Sequence, residues 1–147
     1  MKRFYGLLIT FSALLLSCSR EPEPIAYGKD SCEHCKMTMM DSKFGAEIVT
    51  SKGKVLKFDA TECMVDFVKG DTKGLNSTDN LFLTINVAMP GTLIDARSAF
   101  YLNDKAFKSP MGANLASFTT KQLAENNLQN PDGRILSWDE LLKLDNY

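Results

Sequence analysis

Residues 54–70, KVLKFDATECMVDFVKG, are the stretch on which the fold turns. Lys54 to Phe58 reads as a strand, and Ala46 to Ser51 before it reads as its hairpin partner across Lys52-Gly53. Asp59 is a good helix N-cap, and Glu62 three positions on completes a capping-box pattern. Cys63, Met64, Phe67 and Val68 then fall on one face at helical spacing, and Gly70 stops the helix. A polar loop from Asp71 to Asn80 leads to Leu81–Ala88, a buried strand. The order is strand, strand, helix, strand.

The second half repeats it. Ala99–Leu102 and Ala113–Phe118 are candidate strands, and Thr119 with Gln122 forms another capping pair ahead of Leu123 and Leu128. Arg134–Leu136 is the closing strand, and Ser137 with Glu140 caps a short terminal helix containing Leu141, Leu142 and Leu144. Phe58-Asp59-x-x-Glu62 and Phe118-Thr119-x-x-Gln122 occupy matching places, each leading from strand to helix. The expected fold class is α+β, with two related ββαβ lobes packed together, over residues 27–91 and 92–147.

The first residues read as an address. Lys2 and Arg3 precede an apolar run, Gly6 to Leu16, that is too short to span a bilayer comfortably. Leu15-Leu16-Ser17-Cys18 has the form of a bacterial lipobox, so residues 1–17 are expected to be a signal peptide, with Cys18 lipidated. The plainer alternative is an ordinary signal peptide with an accidental cysteine. Several acyl chains anchor stably where one is marginal. The expected location is therefore the periplasmic face of a bacterial membrane. Residues 18–26, with Pro22 and Pro24, form a short extended tether. Loss of Lys2 and Arg3 takes the formal charge from −1 to −3, and no basic stripe remains to favour nucleic acid.

Chemistry concentrates in Cys32-Glu33-His34-Cys35-Lys36-Met37, with Met39 and Met40 just beyond. Three thiols remain once Cys18 is set aside, an odd number that fits a structural disulfide framework poorly. A CxxC pair binds a metal, cycles as a redox disulfide, or lies idle. A redox site wants a strand before it and a helix starting at its first cysteine, and Tyr27–Ser31 is a poor strand. Structural zinc wants four N or S ligands, usually two such knuckles. Thiolate beside thioether instead suits Cu(I), which accepts few soft ligands without strict geometry. Met37 is the preferred thioether, while Met39 and Met40 are packing residues or spare donors. Met64 and Met89 read as core. His34 offers an imidazole but sits awkwardly between the cysteines, and an exposed bystander is the equal alternative. Cys63, on the apolar helix face, is read as a core residue with ligation left open. Ser109-Pro110-Met111-Gly112 is a tight turn that presents a methionine from the second lobe.

These residues resemble the NosL family of nitrous-oxide reductase accessory lipoproteins. The likeness runs through the lipobox, C-x-x-C-x-M and the aromatic-Asp helix entry. It continues through Ile94-Asp95-Ala96-Arg97 with Ala99 and Tyr101, Pro110-Met111-Gly112, Leu115-Ala116-Ser117-Phe118, and Gly133 to Leu141. The resemblance implies a Cu(I)-binding metallochaperone rather than an enzyme, with a fold related to part of organomercurial lyase. It implies Cys32, Cys35, Met37 and Met111 as ligands, His34 remaining a candidate. The partners it implies are apo-nitrous-oxide reductase and that enzyme's membrane maturation transporter. One position departs from the family pattern: Lys36 stands where glycine is common, which bears on the turn that aims Met37. The competing readings are a lipid-anchored thiol oxidoreductase using Cys32 and Cys35, and a scaffold lipoprotein with incidental metal affinity.

Overall fold

The computed structural model describes residues 20–145 and 147; the expected signal peptide and Cys18 lie outside the described residues. Two antiparallel sheets are built by the same chain path. The first uses β1 (Ala46–Val49), β2 (Val55–Phe58), α1 (Thr61–Lys69), β3 (Leu81–Ile85) and β4 (Leu93–Asp95), in the sheet order β2-β1-β3-β4. The second uses β5 (Phe100–Asn103), β6 (Leu115–Phe118), α2 (Lys121–Asn126) and β7 (Arg134–Leu136), in the order β6-β5-β7, before α3 (Trp138–Lys143). In each unit the first strand lies between the other two. The registers match as well: Ala46 opens β1 opposite Phe58, and Phe100 opens β5 opposite Phe118. The two expected ββαβ units are therefore present. β4, missed in the sequence, pairs with β3, so the first sheet runs past residue 91.

Strand alternation decides which face is covered. In β5 and β6, Tyr101 and Leu115 face the core shared with the first sheet, among Ile48, Phe58, Phe82 and Trp138. Their neighbours Leu102, Ala116 and Phe118 face the other way and pack with Ala124 of α2. Trp138 lies against Phe82 and Tyr101, with ring centroids 5.5 and 6.4 Å away. The sheets meet where Asn86 bridges Ser117 in parallel. Beside that bridge, the buried hydroxyls of Thr61, Thr84 and Ser117 bond one another at 2.7–3.2 Å. Burial of hydroxyls is tolerable here because each has partners.

Tyr101 is fully buried, and its hydroxyl donates to the Ala96 carbonyl at 2.5 Å. Tyr101→Phe keeps the ring and strips that carbonyl of its donor, so about 1–2 kcal/mol of stability should be lost. Urea unfolding measures this directly. An unchanged midpoint would mean the hydrogen bond contributes nothing net.

Two of the three expected caps are displaced. α1 has Ala60 as its N-cap, with no side-chain hydrogen bond, because the Asp59 carboxyl accepts the Met40 N–H and the Glu62 carboxylate turns to Ser109. α2 is capped by Thr120, one residue later than expected, whose hydroxyl accepts from the Leu123 N–H. Only Ser137 and Glu140 of α3 form the expected reciprocal box. The end of the tether is docked: the Glu23 N–H meets Glu47, and Lys57 reaches the Pro24 carbonyl. Met64 is core as expected, whereas Met89 stands exposed in the turn after β3. Among the described residues no helix is long and apolar enough to cross a membrane.

Candidate metal centre

The CxxC segment is a closed loop fastened to the edge of the first sheet. Ser31 and Thr38 form a bridge at its base, and Cys32 donates its N–H to the Met37 carbonyl at 2.9 Å. Glu33 donates to the Lys57 carbonyl on β2, an edge strand, at 2.8 Å. Lys36 closes the turn by donating to the Cys32 carbonyl at 3.0 Å, and its φ is +64°. Left-handed backbone is what glycine adopts freely and lysine adopts at a cost of about 1–2 kcal/mol. The turn that glycine would favour is therefore kept, with strain. Lys36→Gly should raise stability by up to about 1 kcal/mol, since glycine's greater unfolded-state entropy offsets part of the relief. Thermal unfolding tests this, and a lowered midpoint would contradict it.

α1 brings the third thiol. Cys63 lies on its buried face, and the sulfurs of Cys32, Cys35 and Cys63 all lie within 4.8 Å of one another. All three cysteines are free. Among the described residues this is the one cluster of three or more histidine, cysteine or carboxylate donors close enough to share an ion. Cys32 and Cys63 are buried and Cys35 is half-buried, so the cluster opens on the Cys35 side.

The electrostatics single out Cys32. The Cys63 thiol donates to its sulfur, and the backbone N–H groups of Asp59, Cys35 and His34 add further donors. These outweigh burial and hold the Cys32 thiol well below its ordinary range. Donation to Cys32 pushes Cys63 strongly up, and burial raises Cys35. The three thiols are thus pushed apart, Cys32 toward the charged form and Cys35 and Cys63 toward the neutral one. Burial also raises the Asp59 carboxyl, and the neighbouring Cys32 charge adds to that.

The other sequence candidates lie on the CxxC loop and in the second unit. Met37 is 51% exposed on the same loop, and its backbone N–H points to the Cys35 sulfur. His34 lies outside the thiol cluster: its exposed ring meets the Phe67 ring edge-on at 6.4 Å. Met111, 44% exposed, lines a 290 Å³ cavity with Glu62, Asp66, Gly112, Ala113, Asp145 and Tyr147. Its turn is pinned to α1 because Ser109 donates to Glu62, the residue before Cys63. The Glu62 carboxyl is buried, with one oxygen unpartnered, and burial raises its pKa. Met39 is fully buried and Met40 is exposed. Cys63 is in the core, as expected, and its sulfur also lies with the two loop sulfurs. The available signal was the odd thiol count, which a CxxC pair leaves unexplained.

Two linked ββαβ units with a buried thiol cluster between a CxxC loop and the first helix define a small α+β protein suited to a soft metal ion. The chain belongs to the NosL family, whose family model matches residues 25–144. It is 30% identical over 125 residues to the copper-binding lipoprotein NosL of Stutzerimonas stutzeri. That match covers 81% of this chain, and the chain spans 66% of that relative's length. The fold is also that of the copper chaperone NosL from Shewanella denitrificans, whose crystal structure matches with a TM-score of 0.68 at 20% identity. There the match covers 83% of this chain and 96% of the other.

Proposed function

We propose that this chain is a membrane-anchored metallochaperone that carries Cu(I) to nitrous-oxide reductase during assembly of that enzyme's copper centres. The observation that carries the reading is the three sulfurs within 4.8 Å of one another, and the lowered pKa of Cys32 supports it. Three thiols with no histidine or fourth cysteine in the cluster among the described residues suit monovalent copper better than structural zinc. Thioethers on the flanking loops, Met37 and Met111, are weaker and exchangeable. They suit a cargo that must leave. Cys18 would carry the lipid anchor on the periplasmic side, and the apo-enzyme and its membrane maturation transporter are the proposed partners. No reaction need be catalysed.

An oxidoreductase reading fits less well. An attacking thiolate must reach its substrate, and Cys32, the thiol whose pKa is lowered, is fully buried. The proposal is tested by anaerobic titration of the reduced protein against competing chelators for Cu(I) and Zn(II). The expected result is about one Cu(I) per chain, held in preference to Zn(II). Equal or greater preference for zinc would sink it. Loss of copper from nitrous-oxide reductase on deletion of the gene is the second arm, and a normal copper content would remove the assigned partner.

A further inference from the structure

Beside the thiol centre lies a groove of 490 Å³ that copper binding does not use. Its floor is apolar, made by Leu56 of β2, Phe67 of α1 and Leu75 of the following loop. Its rim carries Lys52, Lys54 and Lys73. The two acidic residues on the rim are already engaged. Glu33 is paired with Lys36 at 3.1 Å, and Asp71 accepts the backbone N–H groups of Lys73 and Leu75. Lys52, Lys54 and Lys73 are exposed and make no ion pair among the described residues. This is a cluster of uncommitted positive charge on a chain whose net charge is negative.

We propose that this groove seats an extended acidic segment of the protein that receives the metal, its carboxylates on the three lysines and its apolar side chains on Leu56, Phe67 and Leu75. The proposal rests on the metallochaperone reading and names how that site meets its acceptor. Alternating side chains of an extended segment suit a floor that is apolar and a rim that is charged. A flat anionic membrane satisfies the lysines but cannot reach the floor of a concave cleft. Position supplies the link to transfer. Glu33 of the CxxC loop borders the groove, and Phe67 both lines it and meets His34. A segment lying there places its own donor groups beside the half-buried Cys35 edge of the cluster. Charge of this kind acts chiefly on encounter and register, leaving the metal's affinity untouched.

The test uses the full, Cu(I)-loaded chain and a labelled short peptide of alternating glutamate and leucine as probe. Binding is followed by anisotropy and mapped by backbone amide shifts. Shifts should centre on the groove. Combined Lys52→Glu, Lys54→Glu and Lys73→Glu should weaken the peptide more than about tenfold, since three favourable charge contacts become repulsive. The charge-matched control Lys43→Glu, Lys105→Glu and Lys108→Glu should change it less than about twofold. Equal loss in the control, or shifts centred elsewhere, overturns the proposal. So does binding to phosphatidylglycerol vesicles that depends on the groove lysines while the peptide does not bind. Cu(I) affinity is measured alongside. Retained affinity in the groove variant is the expected result, whereas absent Cu(I) preference in the unaltered chain defeats the chaperone reading by itself, and the peptide arm still decides the groove.

Discussion

Cys63→Ala is expected to weaken Cu(I) binding more than about a hundredfold, because changes one shell outside a metal's ligands already cost up to that much. The expectation follows from where the thiol lies. Its sulfur is within 4.8 Å of both loop sulfurs, and it is the largest cause of the lowered Cys32 pKa. Removing it takes away a sulfur from the cluster and the largest cause of the lowered Cys32 pKa. Two readouts should therefore move together: chelator competition for Cu(I), and the pH at which thiolate absorbance appears in the metal-free protein, which should rise. A residue serving only as packing would move neither. Since Cys63 is buried, Cys63→Ser is the companion variant, and thermal unfolding confirms that either has folded. Met37→Leu and Met111→Leu should cost less, roughly tenfold or below, as exposed thioethers are the weaker donors. Wild-type affinity in folded Cys63→Ala would leave Cys32 and Cys35 as the only thiolate ligands.

The repeat was legible because it depends on local pattern. Strand alternation and the chain's return to Phe-x-x-x-Glu/Gln at Phe58 and Phe118 are one-dimensional signals, and the matched registers of those residues show why they recur. The caps were misplaced because a polar side chain near a helix start has competing partners. Glu62 has the right spacing to serve the helix, yet the second lobe supplies Ser109, a long-range partner that spacing does not disclose. β4 was missed for a similar reason: Leu93–Asp95 is too short to show alternation, and only pairing with β3 makes it a strand. The CxxC half of the metal centre was visible as a motif. Cys63 reads as core and is core; its nearness to the loop sulfurs is not legible in the sequence, because burial and ligation make the same demand on its helix face. What separates them is the loop approaching from the sheet edge, fastened by the Glu33–Lys57 backbone bond. Tertiary contact decided each of these.

A large pH effect should come from Glu47, a residue with no part in metal chemistry. It lies in the middle of β1, fully buried, opposite Lys57 across the strand pair. One carboxylate oxygen accepts the Glu23 N–H at 3.3 Å and the other has no partner. Burial pushes its pKa up to about 7 from 4.5. Below pH 4.5 the group is protonated whether the chain is folded or not, and its contribution is fully present. As pH rises toward 7, the unfolded chain releases the proton while the folded chain still holds it, so stability falls. The full loss is about 3 kcal/mol at 1.36 kcal/mol per pKa unit. Burial shifts Glu62 and Asp59 in the same direction, which reinforces the slope. Asp30 opposes it only at lower pH, since its bond to Lys57 holds the carboxyl below its ordinary range and is lost on acidification. Cys32, whose thiol is held below its ordinary range, works in the opposite direction across the same window, so the Glu47 effect is read as the difference in urea unfolding free energy between the parent and Glu47→Gln, and the parent should lose ground to the variant from pH 5 to pH 8. Glu47→Gln keeps the shape without the buried charge, so it should gain about 2–3 kcal/mol over the parent at pH 8 and little at pH 5. Parallel profiles for the two proteins would show that Glu47 is solvated in the native state and that the slope arises elsewhere.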